Sequence, residues 1–239
     1  MIANGETFET ALKEAQAKGY AEKNPAADVE GYDACRKIAI LASLAWREEI
    51  DYNDIETIGI TDITLEDVKY AGLAGRVIKL IGYAEKLDNG KVYASVCPML
   101  VKKGGPLSNV NGVFNAIMVT GDCVGDVMFY GRGAGKLPTA SAVVADIVDG
   151  VKHRERSKQI YWEKPAQSIS ASNDDKAFRY LVRCSDEKSK AAEIFGECEY
   201  IDGGIDGEIA FITPELSGSE KEEKLSELAN AVSCIRVMD

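Results

Sequence analysis

The sequence predicts an α+β protein, in which helices pack on a mixed or mostly antiparallel sheet and a smaller β-α-β-β-α-β unit follows. Three patterns indicate this: helical spacing of apolar residues near the N-terminus, a strong hairpin signal in the middle, and strand and helix patterns in that order after residue 177. The 239 residues are 46% hydrophobic and 28% charged, which is enough apolar material for a packed core.

Charge and cysteine spacing narrow the classes of function. The net charge of -11 argues against nucleic acid and anionic membrane surfaces as partners, because both attract positively charged proteins. We expect no membrane span or signal peptide, since no apolar run reaches roughly 18 residues and the first residues lack a basic segment. The six cysteines are scattered without a CxxC pair, so we expect reduced thiols, a cytoplasmic location and no metal site. His153 is the single histidine, which argues against a histidine-based triad.

Two helices joined by a loop are predicted at the start of the chain. Gly19 would end the first helix, and Asp28 stands where the N-cap of the second would be. The second helix is predicted from Val29 to Trp46. The apolar residues at helical spacing are Phe8, Ala11, Leu12 and Ala15 in the first helix, and Ala34, Ile38, Leu41 and Ala45 in the second.

The middle of the chain predicts two hairpins and two further helices. Asp88-Asn89-Gly90 is a strong turn signal between the strands of the first hairpin. A glycine-rich turn at residues 131–135 follows the second hairpin and leads into a helix that runs to about Val148. The predicted elements before it are a strand at 55–60, a helix at 65–74, and strands at 77–84, 92–101, 114–120 and 124–130.

A change of composition after residue 150 predicts a domain boundary. A cluster of basic residues, Pro165 and a run rich in Ser, Ala and Asn separate two regions of regular pattern. We therefore expect a first domain at residues 1–160, a linker at 161–176 and a second domain at 177–239. The order of elements in the second domain, β-α-β-β-α-β, is that of the ferredoxin-like arrangement.

Asp33 and Lys37 lie four residues apart in the second helix and form a candidate catalytic pair. Such a pair is commonly a surface salt bridge, worth only ~0.3–0.5 kcal/mol. The same face continues to Ile40 and Leu44, which we expect to be buried, so the pair would lie at the edge of a buried face. Desolvation there would lower the lysine pKa toward a range useful for proton transfer. Spacing alone favours the salt bridge and leaves the catalytic interpretation open.

Two further acids flank the pair. Glu22 lies just after the first predicted helix, and Asp28 lies at the start of the second. A helix-loop-helix can bring these ends together, so we expect three carboxylates and one lysine to converge. An acid-rich pocket suits a substrate that carries an ammonium group. The alternatives are a helix cap for Asp28 and a solvent-exposed loop acid for Glu22.

Several motifs across about residues 6–150 occur in an order that resembles the catalytic domain of homoserine dehydrogenases. They include Gly19-Tyr20-Ala-Glu22, Asp28-Val-Glu-Gly31, Asp33-Ala34, Arg36-Lys37, Ile78-Lys-Leu-Ile81, Val110-Asn-Gly-Val-Phe-Asn-Ala116 and the long run from Tyr130 to Asp146. The resemblance implies interconversion of L-aspartate 4-semialdehyde and L-homoserine with NAD(P), in the biosynthesis of threonine and methionine. It also implies a homodimer.

The resemblance implies a role for each matching side chain. Lys37 is the expected catalytic acid/base, which protonates the carbonyl oxygen as hydride arrives. Asp33 and Glu22 are expected to hold the substrate, Glu22 through the ammonium group. Tyr20 and Asp28 are expected to line the same pocket.

Three glycines are the expected cofactor contacts. Gly19 would let the backbone approach the substrate or the nicotinamide. Gly133 and Gly135 belong to a GxGxG turn, which on motif grounds favours a tight structural turn and leaves an anion site open. The resemblance places this turn against the nicotinamide.

The dinucleotide-binding domain with which this family normally begins has no counterpart in the sequence. No strand-GxGxxG-helix pattern precedes the first helix. We therefore expect NAD(P) to be bound mainly by a domain outside this chain, which would be a fragment inactive on its own; a natural short form is the alternative.

The C-terminal β-α-β-β-α-β unit resembles an ACT domain, which implies an amino-acid effector. The match is one of element order, and the loop Asp186-Glu-Lys-Ser-Lys190 departs from the family by lacking Pro or Gly. A second hypothesis therefore stands beside the enzyme: a non-catalytic amino-acid-sensing or dimerisation module.

Overall fold

A computed structural model describes residues 5–19, 23–156, 159, 161–228 and 230–239. These residues form a mixed α+β structure with a seven-stranded sheet and a separate two-stranded sheet, so the predicted α+β class is confirmed. In this part of the chain no helix is both long and apolar enough to cross a membrane.

The helices and strands follow one another as α1 Phe8–Ala17, α2 Ala26–Val29, α3 Tyr32–Trp46, β1 Glu56–Thr57, α4 Leu65–Leu73, β2 Arg76–Lys86, β3 Val92–Lys102, β4 Phe114–Gly121, β5 Gly125–Arg132, α5 Lys136–Lys152, β6 Tyr180–Cys184, α6 Lys188–Phe195, β7 Glu199–Ile201, β8 Ile209–Ile212, α7 Gly218–Glu227 and β9 Ala231–Met238.

Strand β3 is the centre of the large sheet. All of its residues except the last are buried, as expected for a strand covered on both faces. It pairs with β2 in antiparallel register along its whole length. The turn between them contains Gly90 at φ +85°, a conformation that glycine adopts without strain. The predicted hairpin is therefore confirmed.

Two strands pair in parallel with the other edge of β3, each over a short stretch. β1 pairs with residues 95–96, and β9 pairs with residues 99–101. Beyond β9 the strand order is β6, β8 and β7, with each neighbouring pair antiparallel. The β-α-β-β-α-β order is as predicted, and its sheet continues without interruption into the sheet of the preceding region.

The apolar core has three parts arranged along this sheet. Helix α4 buries Tyr70 and Ala71 against β3 and against the C-terminal strands, so one cluster joins the two regions. A second cluster lies between α3 and the hairpin of β2 and β3, and a third fills the space between α6, α7 and the C-terminal strands. The domain boundaries at 160 and 177 stay a prediction.

The predicted second helix, Val29 to Trp46, corresponds to α3, which begins only at Tyr32, and a separate short helix α2 precedes it. Gly31 lies between α2 and α3 at φ +81°, a left-handed conformation that ends one helix before the next begins. Asp28 consequently lies inside α2, whose N-cap is Pro25, and the prediction of Asp28 as an N-cap was wrong.

Strands β4 and β5 and helix α5 expose an unusual amount of apolar surface. None of the seventeen residues of α5 is buried. Large apolar side chains exposed on these three elements include Ile117, Val119, Phe129, Leu137, Val144 and Ile147. Surfaces of this kind commonly contact another domain or subunit.

Candidate active site

Helix α3 carries the candidate catalytic pair and packs tightly on the sheet. Its buried residues are small: Cys35, Ala39, Ala42 and Ser43. The Ser43 hydroxyl donates to the Ala39 carbonyl over 2.8 Å and accepts the Ile50 N–H over 3.0 Å. Small side chains and satisfied hydrogen bonds let the helix lie close to β2 and β3 and fix its rotation.

Two glycines set the position of the start of α3. A Cβ at Gly31 would lie 3.2 Å from Val96 Cγ1 and 3.3 Å from Thr57 Cγ2. A Cβ at Gly59 would lie 2.7 Å from the Cα of Glu30. The α2–α3 junction is therefore pressed against β1 and β3 with no room for added atoms.

Asp33 and Lys37 are brought together as predicted. The Lys37 ammonium donates to Asp33 Oδ2 over 2.6 Å, a charge-assisted hydrogen bond. The lysine side chain is 64% exposed and the aspartate 46%. Within the described residues the pair is thus a solvated salt bridge. It does not lie at the edge of a buried face, as was predicted.

The prediction that Ile40 and Leu44 are buried was wrong. Ile40 is 50% exposed and Leu44 is 44% exposed. The two residues lie on the same helical face as Asp33 and Lys37, because positions i, i+4, i+7 and i+11 point the same way. That face is opposite the buried one. We call Asp33, Lys37, Ile40 and Leu44 the exposed stripe.

The other predicted pocket residues are placed as follows. Asp28 is exposed in α2, on the segment that leads into α3. Tyr20 and Glu22 lie outside the described residues, so the predicted convergence of three carboxylates stays a prediction. Gly19 follows α1 at φ +72°, a backbone conformation that favours glycine.

The glycine turn between β5 and α5 has a structural reason for each predicted glycine. The Gly133 N–H donates to the Val113 carbonyl over 2.9 Å, and a Cβ on Gly133 would overlap the Asn115 side chain. Gly135 has φ +116° and precedes α5, where no side chain caps the first turn. The first N–H groups of a helix have no partner within the helix, so the start of α5 could contact an anion. The described residues contain no strand-GxGxxG-helix unit, so they fit a contact with NAD(P) and not a complete dinucleotide site.

Lys79 is a half-buried lysine that was not among the predicted site residues. Its ammonium donates to the Val110 carbonyl over 2.6 Å and to Asn111 Oδ1 over 2.8 Å. Burial lowers the pKa of Lys79. A lysine inside the apolar strand Ile78-Lys-Leu-Ile81 was the available signal. It anchors the segment that enters β4.

A cavity of about 320 Å³ lies on the flank of α3 beside the exposed stripe. It is lined by Tyr32, Cys35, Arg36, Tyr52 and Asn53, among others. The apolar and charge pattern of α3 alone did not indicate this cavity, because a short 3₁₀ helix at Tyr52–Asp54, just beyond the end of α3, forms its other side. The Cys35 thiol donates to the Tyr52 carbonyl over 3.4 Å. In the parts of the chain that the structure describes, no group of three or more His, Cys, Asp or Glu side chains is placed to hold a metal ion.

Comparison with known proteins identifies the family of this chain. A sequence model of the homoserine dehydrogenase family matches residues 1–148. A homoserine dehydrogenase of Bacillus subtilis is 46% identical over 153 residues, which are 64% of this chain and 35% of the relative. A homoserine dehydrogenase structure from Thiobacillus denitrificans superposes with a TM-score of 0.86 at 31% identity, and one from S. aureus with 0.80 at 32%.

The share of each protein that is matched differs between these comparisons. Both structural matches cover all of this chain, including the C-terminal unit, and 60% of the solved chain. This chain therefore spans about a third of the curated relative and three fifths of the solved structures. The family match covers more than half of this chain. The chain belongs to the homoserine dehydrogenase family.

Proposed function

We propose that this chain supplies the substrate half of a homoserine dehydrogenase active site, which interconverts L-aspartate 4-semialdehyde and L-homoserine with NAD(P). The observation that carries the proposal is the Asp33–Lys37 pair, held at 2.6 Å on a rigid helix within the family's matched region. A lysine ammonium fixed by a carboxylate can deliver a proton to a carbonyl oxygen and recover it from the product hydroxyl.

The chemistry divides between the chain and its cofactor. NAD(P), when bound, supplies or accepts the hydride. Lys37 gives a proton to the aldehyde oxygen of the semialdehyde as the carbon is reduced, and takes it from homoserine in the reverse direction. Asp33 orients Lys37 and contacts the substrate. Glu22 and Asp28 balance the substrate ammonium, and Tyr20 lines the pocket beside them.

The exposed stripe supports the idea that a further domain completes the site. Ile40 and Leu44 are large apolar residues on the same face as the pair, and both are substantially exposed. A cofactor domain that covered them would also take water away from Lys37, which makes electrostatic interactions there stronger. In this arrangement Gly19, Gly133 and Gly135 would meet the nicotinamide end of NAD(P), and most of the cofactor would be bound by the covering domain.

The experiment replaces Lys37 by Ala in the full-length parent protein and measures NAD(P)H-dependent reduction of aspartate semialdehyde. Loss of a general acid–base group predicts a kcat lower by about 10²–10⁴-fold. Lys18→Ala is a matched control, because Lys18 also forms an i,i+4 salt bridge on an exposed helical face, with Glu14. Near-wild-type turnover of Lys37→Ala would remove Lys37 from the mechanism.

The isolated chain provides a second measurement. We expect it to lack activity at normal rates, because it has the proton-transfer pair and no complete dinucleotide site among its described residues. Full activity of this chain alone would contradict that expectation.

A second candidate function is an amino-acid-sensing, ACT-type role for the C-terminal unit. Its β-α-β-β-α-β order and all-antiparallel neighbours support this. A groove of about 690 Å³ lies where α4 meets this unit, and charged groups of both signs line it together with apolar residues. Those residues include Glu66, Lys69, Arg183, Ile205 and Glu208. Such a lining suits a zwitterion with an apolar side chain.

Calorimetric titration of threonine and the other amino acids into this chain tests the sensing role. Heat of binding that Lys69→Ala abolishes would support it. No heat with any amino acid would leave the C-terminal unit a structural or dimerisation role.

For dimerisation, the exposed apolar surface of β4, β5 and α5 is the proposed contact, and the sedimentation behaviour of the chain at increasing concentration is the measurement.

We place the protein in the cytoplasm, a proposal supported by six free cysteine thiols.

A further inference from the structure

We propose, on the basis of the function proposed above, that Arg236 is a positioning residue for the active site. Arg236 lies in the last strand, β9, remote in sequence from Asp33 and Lys37. It fixes β1, and β1 fixes the α2–α3 junction from which the catalytic pair projects. The C-terminal unit thus holds the catalytic helix from behind.

The first step is the contact between Arg236 and two residues of the preceding region. Its guanidinium donates from Nη1 to Ser95 Oγ over 2.8 Å and from Nη2 to Glu56 Oε2 over 3.0 Å. The side chain is 6% exposed, and its Cζ lies 4.3 Å from the centre of the Phe178 ring. A planar, charged fork held at both terminal nitrogens and on its face has a restricted orientation.

The Arg236–Glu56 ion pair is better explained by the geometry it imposes than by the stability it adds. Burial of an ion pair costs desolvation free energy that an apolar pair of the same shape would not. The benefit is directional, because a guanidinium that bonds Ser95 of β3 and Glu56 of β1 together sets the distance between the two strands. Arg236 itself is held on β3, opposite Met99.

The second step is that β1 is very short and makes few backbone hydrogen bonds to the sheet. It consists of Glu56 and Thr57, which pair with Ser95 and Val96. One additional backbone hydrogen bond follows, from the Ile58 N–H to the Val96 carbonyl over 2.7 Å. For so short a strand, a buried side-chain anchor contributes a large part of the local order.

The third step leads from β1 to the catalytic helix. Thr57 lies against Gly31, and the Ile60 N–H donates to the Val29 carbonyl over 2.8 Å. Gly31 in turn accepts the Cys35 N–H over 2.9 Å in the first turn of α3. A shift of β1 therefore moves the turn that contains Asp33.

The experiment measures amide hydrogen exchange by mass spectrometry on this chain, without cofactor or substrate. The variants are Arg236→Met, the conservative Arg236→Lys and Glu56→Gln. Arg183→Met is the matched control, because Arg183 is another buried arginine of the C-terminal unit that bonds the preceding region, at Asp67 of α4, without touching β1.

We expect exchange at residues 28–35 and 56–60 to be faster by about tenfold or more in Arg236→Met, with Glu56→Gln similar and Arg236→Lys intermediate. The control should leave these segments at the exchange rate of the rest of its sheet. If Arg236→Met does not fold, the Lys and Gln variants carry the comparison. Because Arg183→Met should also lower overall stability, exchange at each segment is compared with that of the rest of the sheet in the same variant. Unchanged exchange at both segments in all three Arg236 and Glu56 variants, or a rise in Arg183→Met that is confined to these segments and as large as in Arg236→Met, would overturn the proposal.

A kinetic measurement in the full-length parent adds a readout that exchange does not give. Arg236→Lys should lower kcat for semialdehyde reduction by about tenfold, which corresponds to ~1.4 kcal/mol of transition-state stabilisation, and leave the KM for NAD(P)H unchanged. Faster exchange with a parent that has no dehydrogenase activity would refute the proposed function and keep the Arg236 anchor. Normal exchange with an active parent would do the reverse.

Discussion

Replacement of Arg183 by Met tests the second buried charge cluster at the junction of the two regions. Arg183 in β6 donates to Asp67 Oδ1 of α4 over 2.6 Å, with the side chains 3% and 1% exposed. It also bonds Glu208 Oε2 over 3.0 Å. Methionine has a similar apolar length and no charge, so the substitution leaves the Asp67 carboxylate buried without its counterion.

The expected magnitude follows from that stranded charge. Removal of one partner from a buried ion pair costs about 3–5 kcal/mol. At roughly 2–4 °C per kcal/mol for a chain of this size, the midpoint of thermal unfolding should fall by about 6–20 °C at pH 7. Arg179→Met is the control, since Arg179 makes the more exposed ion pairs with Glu199 and Asp239 and should cost less than about 1 kcal/mol.

The pH dependence of folding stability shows whether the unpaired Asp67 carboxylate causes this destabilisation. Desolvation by itself raises the pKa of Asp67, but hydrogen bonds from the Thr64 backbone and from Arg183 hold that pKa below its usual value. A carboxyl with a depressed folded pKa stabilises the fold above its unfolded pKa of about 3.9, and this contribution is lost as pH falls through the folded value. Loss of the Arg183 hydrogen bond removes one of the contacts that lower the pKa of Asp67, so that pKa should rise.

Thermal melts of both proteins at pH 7 and at about pH 3.5 therefore make a clear test. The destabilisation by Arg183→Met should be large at pH 7 and should shrink at the lower pH, where a protonated Asp67 no longer needs a counterion. A loss of less than about 2 °C at pH 7, or a loss that is equal at both pH values, would refute the reasoning.

Three further predictions follow from single sites. Gly59→Ala should lower stability by about 2 kcal/mol or more, because its Cβ would meet the backbone of α2; a urea midpoint checks this. Leu44→Asp should change the stability of this chain by less than about 0.5 kcal/mol and lower kcat/KM of the full-length parent by about tenfold, if the exposed stripe docks a domain. Burial raises the pKa of Cys97 to about 11 and of Cys234 to about 12, which leaves little reactive thiolate at pH 8. Exposed Cys123 should therefore be alkylated first at that pH, and earlier labelling of Cys97 or Cys234 would contradict this.

Local signals in the sequence were sufficient for most of the elements. The hairpin of β2 and β3 was predictable because Asn89-Gly90 fixes a turn that depends only on its own residues and its flanking strands. Asp33 and Lys37 were predictable as a pair, because i,i+4 spacing on a helix brings side chains together whatever the rest of the fold does.

The orientation of α3 was predictable only in part. Ala34 and Ile38 of the predicted apolar stripe pack against the core, whereas Ala45 is exposed. The helix presents large apolar side chains, Ile40 and Leu44, to the exterior and packs Ala39 and Ala42 on the sheet. Hydrophobicity alone would place the larger Ile40 and Leu44 side chains on the sheet and the alanines outside. The decisive factor is close approach, because Gly82 of β2 lies against Ile38, and small residues let the helix come this near.

The pairing of β9 with β3 had no local signal at all. Parallel pairing between strands far apart in sequence depends on the edge that the rest of the fold leaves free, and β2 occupies only one edge of β3. For the same reason no sequence pattern predicted that Arg236 would meet Glu56. Long-range contacts of buried charge are set by the assembled sheet.

The contrast between buried and exposed charge separates two roles within the chain. The arginines of the C-terminal unit, Arg183 and Arg236, are buried and bound on several sides, whereas Asp33 and Lys37 face outward on the exposed stripe. A catalytic group must be held in position and still reach its substrate. In the arrangement proposed above, Arg236 constrains Asp33 and Lys37 indirectly, through the backbone of β1 and of the α2–α3 junction. A covering domain can then change the solvation of Lys37 without having to place it.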